Sequence, residues 1–82
     1  MVIETFKAGC MPKVYARYAE RGRMLPEGLV YIDSWLTADQ RQCFQLMETA
    51  DASLFEPWIA QWSDLVNFEV IAVEASPTKR DQ

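Results

Sequence analysis

The chain has 82 residues, half of them apolar and 12% aromatic, and eight basic against twelve acidic side chains leave a net charge of −4. That describes one domain near the small end of what folds alone, too apolar for a disordered segment and too acidic for a nucleic-acid footprint. There is no histidine, so the usual metal ligand and the usual general base are both missing, and neither a metal nor another cofactor is expected.

Residues 1–6 alternate Val2, Glu4 and Phe6 against Met1, Ile3 and Thr5, the period of a strand. Gly9 breaks the pattern, and Pro12 suits the first turn of a helix, where its missing N–H costs nothing. Met11, Val14, Tyr15 and Tyr18 form the apolar stripe of that helix, and Lys13, Arg17 and Arg21 follow at i, i+4, i+8 on a neighbouring face. Gly22 is a natural stop, with Arg21 and Arg23 near the negative end of the helix dipole. Pro26 and Gly28 then turn the chain into a second strand over 29–36, with Leu29, Tyr31, Asp33 and Trp35 on one face and Val30, Ile32, Ser34 and Leu36 on the other. A polar turn over 37–40 leads to a third strand over 42–49.

A second helix is predicted over 51–66 from the recurrence of Phe55, Trp58, Ile59, Trp62 and Val66. Asp51 or Ser53 could cap it, and Ser53 with Glu56 has the form of a capping box. Pro57 would cost roughly 3 kcal/mol in a helix interior, which argues for a regular helix beginning only two or three residues before it. Residues 68–75 read as a fourth strand. The domain is thus expected over 1–75, followed by a polar, mobile tail over 76–82.

The order β-α-β-β-α-β specifies an α+β, ferredoxin-like fold: a four-stranded antiparallel sheet with two helices on one face. Residues 7–23 carry five basic side chains against one acid, and residues 24–76 one against nine. This arrangement would set the basic first helix beside the acidic second one, where Arg17 and Arg21 could pair with Glu56 or Asp64. If Ile3, Val30, Ile32, Phe44, Leu46, Phe68 and Val70 face the helices, the open face holds Val2, Glu4, Phe6, Tyr31, Asp33, Trp35, Cys43, Gln45, Met47, Glu69 and Ile71. So apolar a face is expected to pack on a second copy, giving a homodimer.

Within that interface Glu4, Tyr31, Asp33 and Gln45 could line a small cavity walled by Trp35, with Arg23 as a possible anion contact. The same residues could equally be a hydrogen-bonded patch that sets dimer register. Cys10 and Cys43 lack a CxxC motif, and no apolar run reaches the length of a membrane span. The N-terminus is too short and too acidic for a signal peptide. The expected setting is soluble, reducing and cytoplasmic, without nucleic-acid or membrane partners.

The stretches Arg21-Gly22-Arg23-Met24-Leu25-Pro26-Glu27-Gly28-Leu29, Cys43-Phe44-Gln45-Leu46-Met47-Glu48 and Trp58-Ile59-Ala60-Gln61-Trp62-Ser63-Asp64-Leu65-Val66-Asn67-Phe68-Glu69-Val70 resemble the small bacterial family called domain of unknown function 3303. The resemblance implies a dimeric α/β-barrel protein, two ferredoxin-like protomers packed sheet to sheet, and brings no established activity. The wider dimeric α/β-barrel group contains monooxygenases, haem-degrading enzymes and small-molecule binders. Without histidine, a haem held by a proximal imidazole is excluded. Two functions stay open: a non-catalytic dimeric module that binds a small organic molecule or serves self-association, and a cofactor-independent monooxygenase- or isomerase-like enzyme using Glu4, Asp33 or Tyr31.

Overall fold

The computed structural model describes residues 1–74, so the expected tail over 76–82 lies outside it. Its elements are β1 (Val2–Phe6), α1 (Met11–Arg21), β2 (Val30–Leu36), β3 (Gln42–Glu48), a single 3-10 turn (Ala52–Leu54), α2 (Phe55–Ala60) and β4 (Val66–Val70). The strands form one antiparallel sheet in the order β2-β3-β1-β4, with β1 and β3 central. This is the α+β, ferredoxin-like architecture that the alternation of periods predicts.

Local chemistry explains where the helices start and stop. Pro12 stands in the first turn of α1, and Gly22 ends that helix at φ 68, its N–H donating to the Tyr18 carbonyl at 2.7 Å. Asp51 accepts from the Ser53 N–H at 3.0 Å and the Ser53 hydroxyl at 2.6 Å. The Ser53 hydroxyl is therefore turned back to Asp51 and does not form the expected capping box with Glu56. α2 begins two residues before Pro57, as the proline demands, but it stops at Ala60, six residues short of the predicted end. Turns over 61–65 carry Trp62 into the core and let β4 begin at Val66 and end at Val70, against an expected span of 68–75.

The core consists of Val2, Leu29, Met47, Trp58 and Trp62, all buried, with Val14, Met24, Leu54, Phe55, Ile59 and Phe68 packed around them. Trp58 meets Phe68 edge-on with ring centroids 5.4 Å apart. Burying one such indole stabilises the fold by at most about 5 kcal/mol, a large share for so small a domain. Arg17 joins the helical layer to the turns after α2 with two hydrogen bonds to Asp64, at 2.8 and 2.7 Å, and one to the Gln61 carbonyl at 2.8 Å. Of the expected partners, Asp64 is the one Arg17 takes.

The central strands β1 and β3 are turned over relative to the expected assignment of faces, while β4 keeps it, with Phe68 and Val70 toward the helices and Glu69 on the open side. Register pairs Glu4 with Cys43 and Phe68, and Val2 with Gln45 and Val70, so these residues share a face. That face is the one under the helices. Val2, Glu4, Phe6, Cys43, Gln45 and Met47 therefore lie inside, and Ile3, Phe44 and Leu46 lie on the open side. The physical reason is that both faces of β1 and β3 are mixed, so alternation fixes two sets without saying which is covered. Trp58 and Trp62 decide it by packing with Val2 and Met47.

A second correction concerns β2. Tyr31 pairs with Met47 but Asp33 pairs with Leu46, so Ile32 is an extra residue in a β-bulge. The bulge reverses the alternation after it. Tyr31, expected on the open face, lies on the helix side with Ser34, while Asp33 and Trp35 lie with Leu46 and Phe44 on the open side, as expected.

Candidate functional site

Glu4 sits in the middle of β1 with neighbouring strands on both sides and is only 8% exposed. A carboxylate so placed needs hydrogen bonds, and the central strands supply them. The Gln45 amide Nε2 donates to Glu4 Oε1 at 2.6 Å. The other end of that amide, Gln45 Oε1, is buried and has no hydrogen-bond partner among the described residues.

Above this pair lies a cavity of about 140 Å³. Its floor is sheet: Glu4, Cys43, Gln45 and Ser34. Its roof is the apolar stripe of α1, with Val14, Tyr15 and Tyr18. Phe6, Trp58, Trp62 and Arg23 complete the lining of this half-open cavity. No side chain of α1 is fully buried: Val14 packs against the core, while Tyr15 and Tyr18 line the cavity and stay partly exposed.

Arg23 joins three parts of the site. Its guanidinium lies 3.6 Å from the centroid of the Tyr31 ring and 4.9 Å from that of Tyr18, whose hydroxyl accepts from Nη1 at 3.1 Å. Such stacking suits a planar, weakly hydrated cation. The Arg23 carbonyl accepts from both indoles, Trp58 Nε1 at 3.0 Å and Trp62 Nε1 at 3.2 Å. Tyr31 and Ser34 share a hydrogen bond through their hydroxyls, across the bulge.

Burial shifts the protonation equilibria here. Desolvation raises the Glu4 pKa above its ordinary value, against the opposing effects of the Gln45 amide, the Cys43 thiol and the Arg23 charge. Burial also pushes the Cys43 thiol up to about 11, and the Glu4 charge and a hydrogen bond to Glu4 add to it. The Tyr15 phenol is raised by burial first, then by the charges of Cys43 and Glu4. A thiol held this far from ionisation is a poor nucleophile. Among the described residues no group of three or more Cys, Asp and Glu gathers as a metal would require.

Of the six residues singled out from sequence, Glu4, Gln45, Arg23 and Tyr31 come together, but beneath α1 and not on the open face. Asp33 and Trp35 are on the opposite side of the sheet, exposed, and separated from that group by the bulge. Sequence reasoning missed Ser34, Cys43, Tyr15, Tyr18, Phe6 and the two tryptophans as cavity residues. The signal was present in one place: Tyr15 and Tyr18, large rings with polar tips on the apolar stripe of α1, are poor choices for tight helix-on-sheet packing.

A family model described as domain of unknown function (DUF3303) matches residues 1–78. The chain belongs to this family. The DUF3303 match takes in every element from β1 to β4 and every residue of the cavity. No curated protein and no solved structure matches the chain. The DUF3303 description assigns no activity. No helix among the described residues is long and apolar enough to cross a membrane.

Proposed function

We propose that this DUF3303 domain is a non-catalytic module that binds a small organic molecule in the cavity between α1 and the sheet and self-associates through its open sheet face. The observation that carries the binding reading is Glu4 with Gln45 on the floor of a cavity otherwise lined largely by aromatic and aliphatic groups. A purely structural carboxylate would be sealed in packed side chains, whereas this one faces space, and convergent polar groups in an apolar recess are the usual form of a ligand site. Native mass spectrometry of protein isolated from its own cells tests it. Excess mass beyond the polypeptide, lost when Val14 is enlarged to Phe to fill the cavity, is the expected result; polypeptide mass alone goes against it.

The self-association reading rests on the open face. Val30, Ile32 and Trp35 are 55%, 48% and 50% exposed, beside the half-buried Ile3, Phe44 and Leu46. A second copy laid sheet to sheet would cover them, as exposed apolar patches of this kind require. Light scattering should give about twice the 9.5 kDa chain mass, and Trp35→Lys should return it to one chain. A wild-type mass of one chain at micromolar concentration defeats this reading.

A second reading draws on the same Glu4: a cofactor-independent enzyme of isomerase or monooxygenase type. A carboxyl whose pKa is raised by burial is better poised to carry a proton at neutral pH than an exposed one. Asp33, on the far side of the sheet, has no part in it. Turnover of a bound molecule that is lost in Glu4→Gln, with binding retained, would favour the enzyme; binding without turnover favours the module.

A further inference from the structure

The cavity also has a selectivity that follows from its walls, an argument that rests on its being a ligand site. Its size limits the guest first. About 140 Å³ is close to the volume of a cavity that holds one benzene ring, so a single ring fits within it. Aromatic side chains on several sides favour a flat guest that can stack or meet them edge-on.

Charge narrows the choice further. Glu4 and Arg23 carry opposite charges in one lining, so a guest of either sign gains from one and loses to the other. A neutral guest also avoids the cost of desolvating its own charge.

Hydrogen bonding then sets polarity. The floor offers acceptors: the Glu4 carboxyl and Gln45 Oε1, which is buried and unpartnered among the described residues. A buried acceptor left empty carries its full desolvation cost, so a guest that donates to it removes that cost and one that cannot leaves it in place. We propose that the cavity takes a neutral, single-ring phenol, its ring between the α1 tyrosines and the sheet and its hydroxyl donating to the Glu4–Gln45 pair.

The test uses the full-length wild-type protein, labelled with nitrogen-15, titrated separately with phenol, anisole, benzoate and benzylamine. The indole N–H signals of Trp58 and Trp62 and the side-chain amide of Gln45 report on the cavity, and the exposed Trp35 indole serves as the internal control. The expected result is saturable shifts at the first three with phenol, and binding of anisole weaker by about tenfold, the factor for one missing hydrogen bond. Benzoate and benzylamine should be weaker still. Gln45→Met should bring phenol down to the level of anisole while leaving the indole signals in place.

Equal binding of anisole and phenol overturns the donor inference and leaves the cavity as a ligand site. Tighter binding of benzoate or benzylamine overturns the neutral class, again sparing the cavity. No shift with any of the four at millimolar concentration overturns the inference together with the binding reading beneath it.

Discussion

Replacing Glu4 by Gln isolates the electrostatic cost of the cavity floor. The amide keeps a carbonyl to accept from Gln45 Nε2 and replaces the titrating carboxyl oxygen with an NH2 group that cannot ionise. In the wild type the folded pKa of Glu4 lies above its ordinary value of 4.5. The stability it contributes is therefore complete below about that pH and is lost as pH rises through the folded pKa; above it the fold carries a buried charge that the unfolded chain leaves in water. One proton of linkage sets the limit on the slope, about 1.4 kcal/mol per pH unit. Wild type should lose stability relative to Glu4→Gln by up to that slope from 4.5 to the folded pKa, and the difference should then be constant.

The other perturbed carboxyls do not obscure this. Asp39, Asp51 and Asp64 are all shifted down, Asp64 to about 2 through its hydrogen bonds with Arg17. Their contributions are present above the ordinary value of 3.8 and are lost as pH falls through the folded pKa. All three are present in both proteins, so they cancel in the difference. Urea unfolding followed by tryptophan fluorescence at a series of pH values gives the curve. A flat difference, or a wild type more stable than the variant in mild alkali, refutes the reasoning.

Two further measurements bear on separate parts of the structure. In a Cys10→Ser background, Cys43 should react with iodoacetamide at least about 100-fold more slowly than a thiol of ordinary pKa, since two pH units of displacement remove that much thiolate. Adding Glu4→Gln should speed it, because the Glu4 charge is one cause of the shift, and an unchanged rate would show that burial alone protects the thiol. Gly28 has φ +94, and a Cβ there would stand 3.0 Å from Leu54 Cδ1. Gly28→Ala should cost about 1–2 kcal/mol, mostly backbone because the Leu54 methyl can yield. Gly9→Ala, at φ +71 with nothing within 4 Å, supplies the backbone-only comparison, and a Gly28→Ala denaturation midpoint equal to wild type counts against the strained turn.

Much of the architecture was legible because it depends on local periodicity and punctuation. Gly22 and Pro12 bound α1 through rules that need no tertiary contact, and Pro57 limits how early α2 can begin. The end of α2 was not legible: Trp62 keeps the helical spacing after Trp58, but it reaches the core from a turn and not from a helix. Glu4 and Gln45 could be paired from sequence, since both fall at polar positions in the two central strands. Their enclosure could not be, because it depends on which face the tryptophans cover.

The sequence by itself determined the element order, the antiparallel sheet with β1 and β3 at its centre, and the lack of imidazole chemistry, because these follow from residue spacing and composition. Only the tertiary structure decided which side of the sheet is inside. Strand alternation has a period of two and no sign, so Val2-Glu4-Phe6 and Met1-Ile3-Thr5 are equivalent until something large packs on one of them. Trp58 and Trp62 supply the sign, and the Ile32 bulge then divides Tyr31 from Asp33 and Trp35. Together they move the polar group from an exposed interface to the floor of a cavity, where the same carboxyl becomes a buried one.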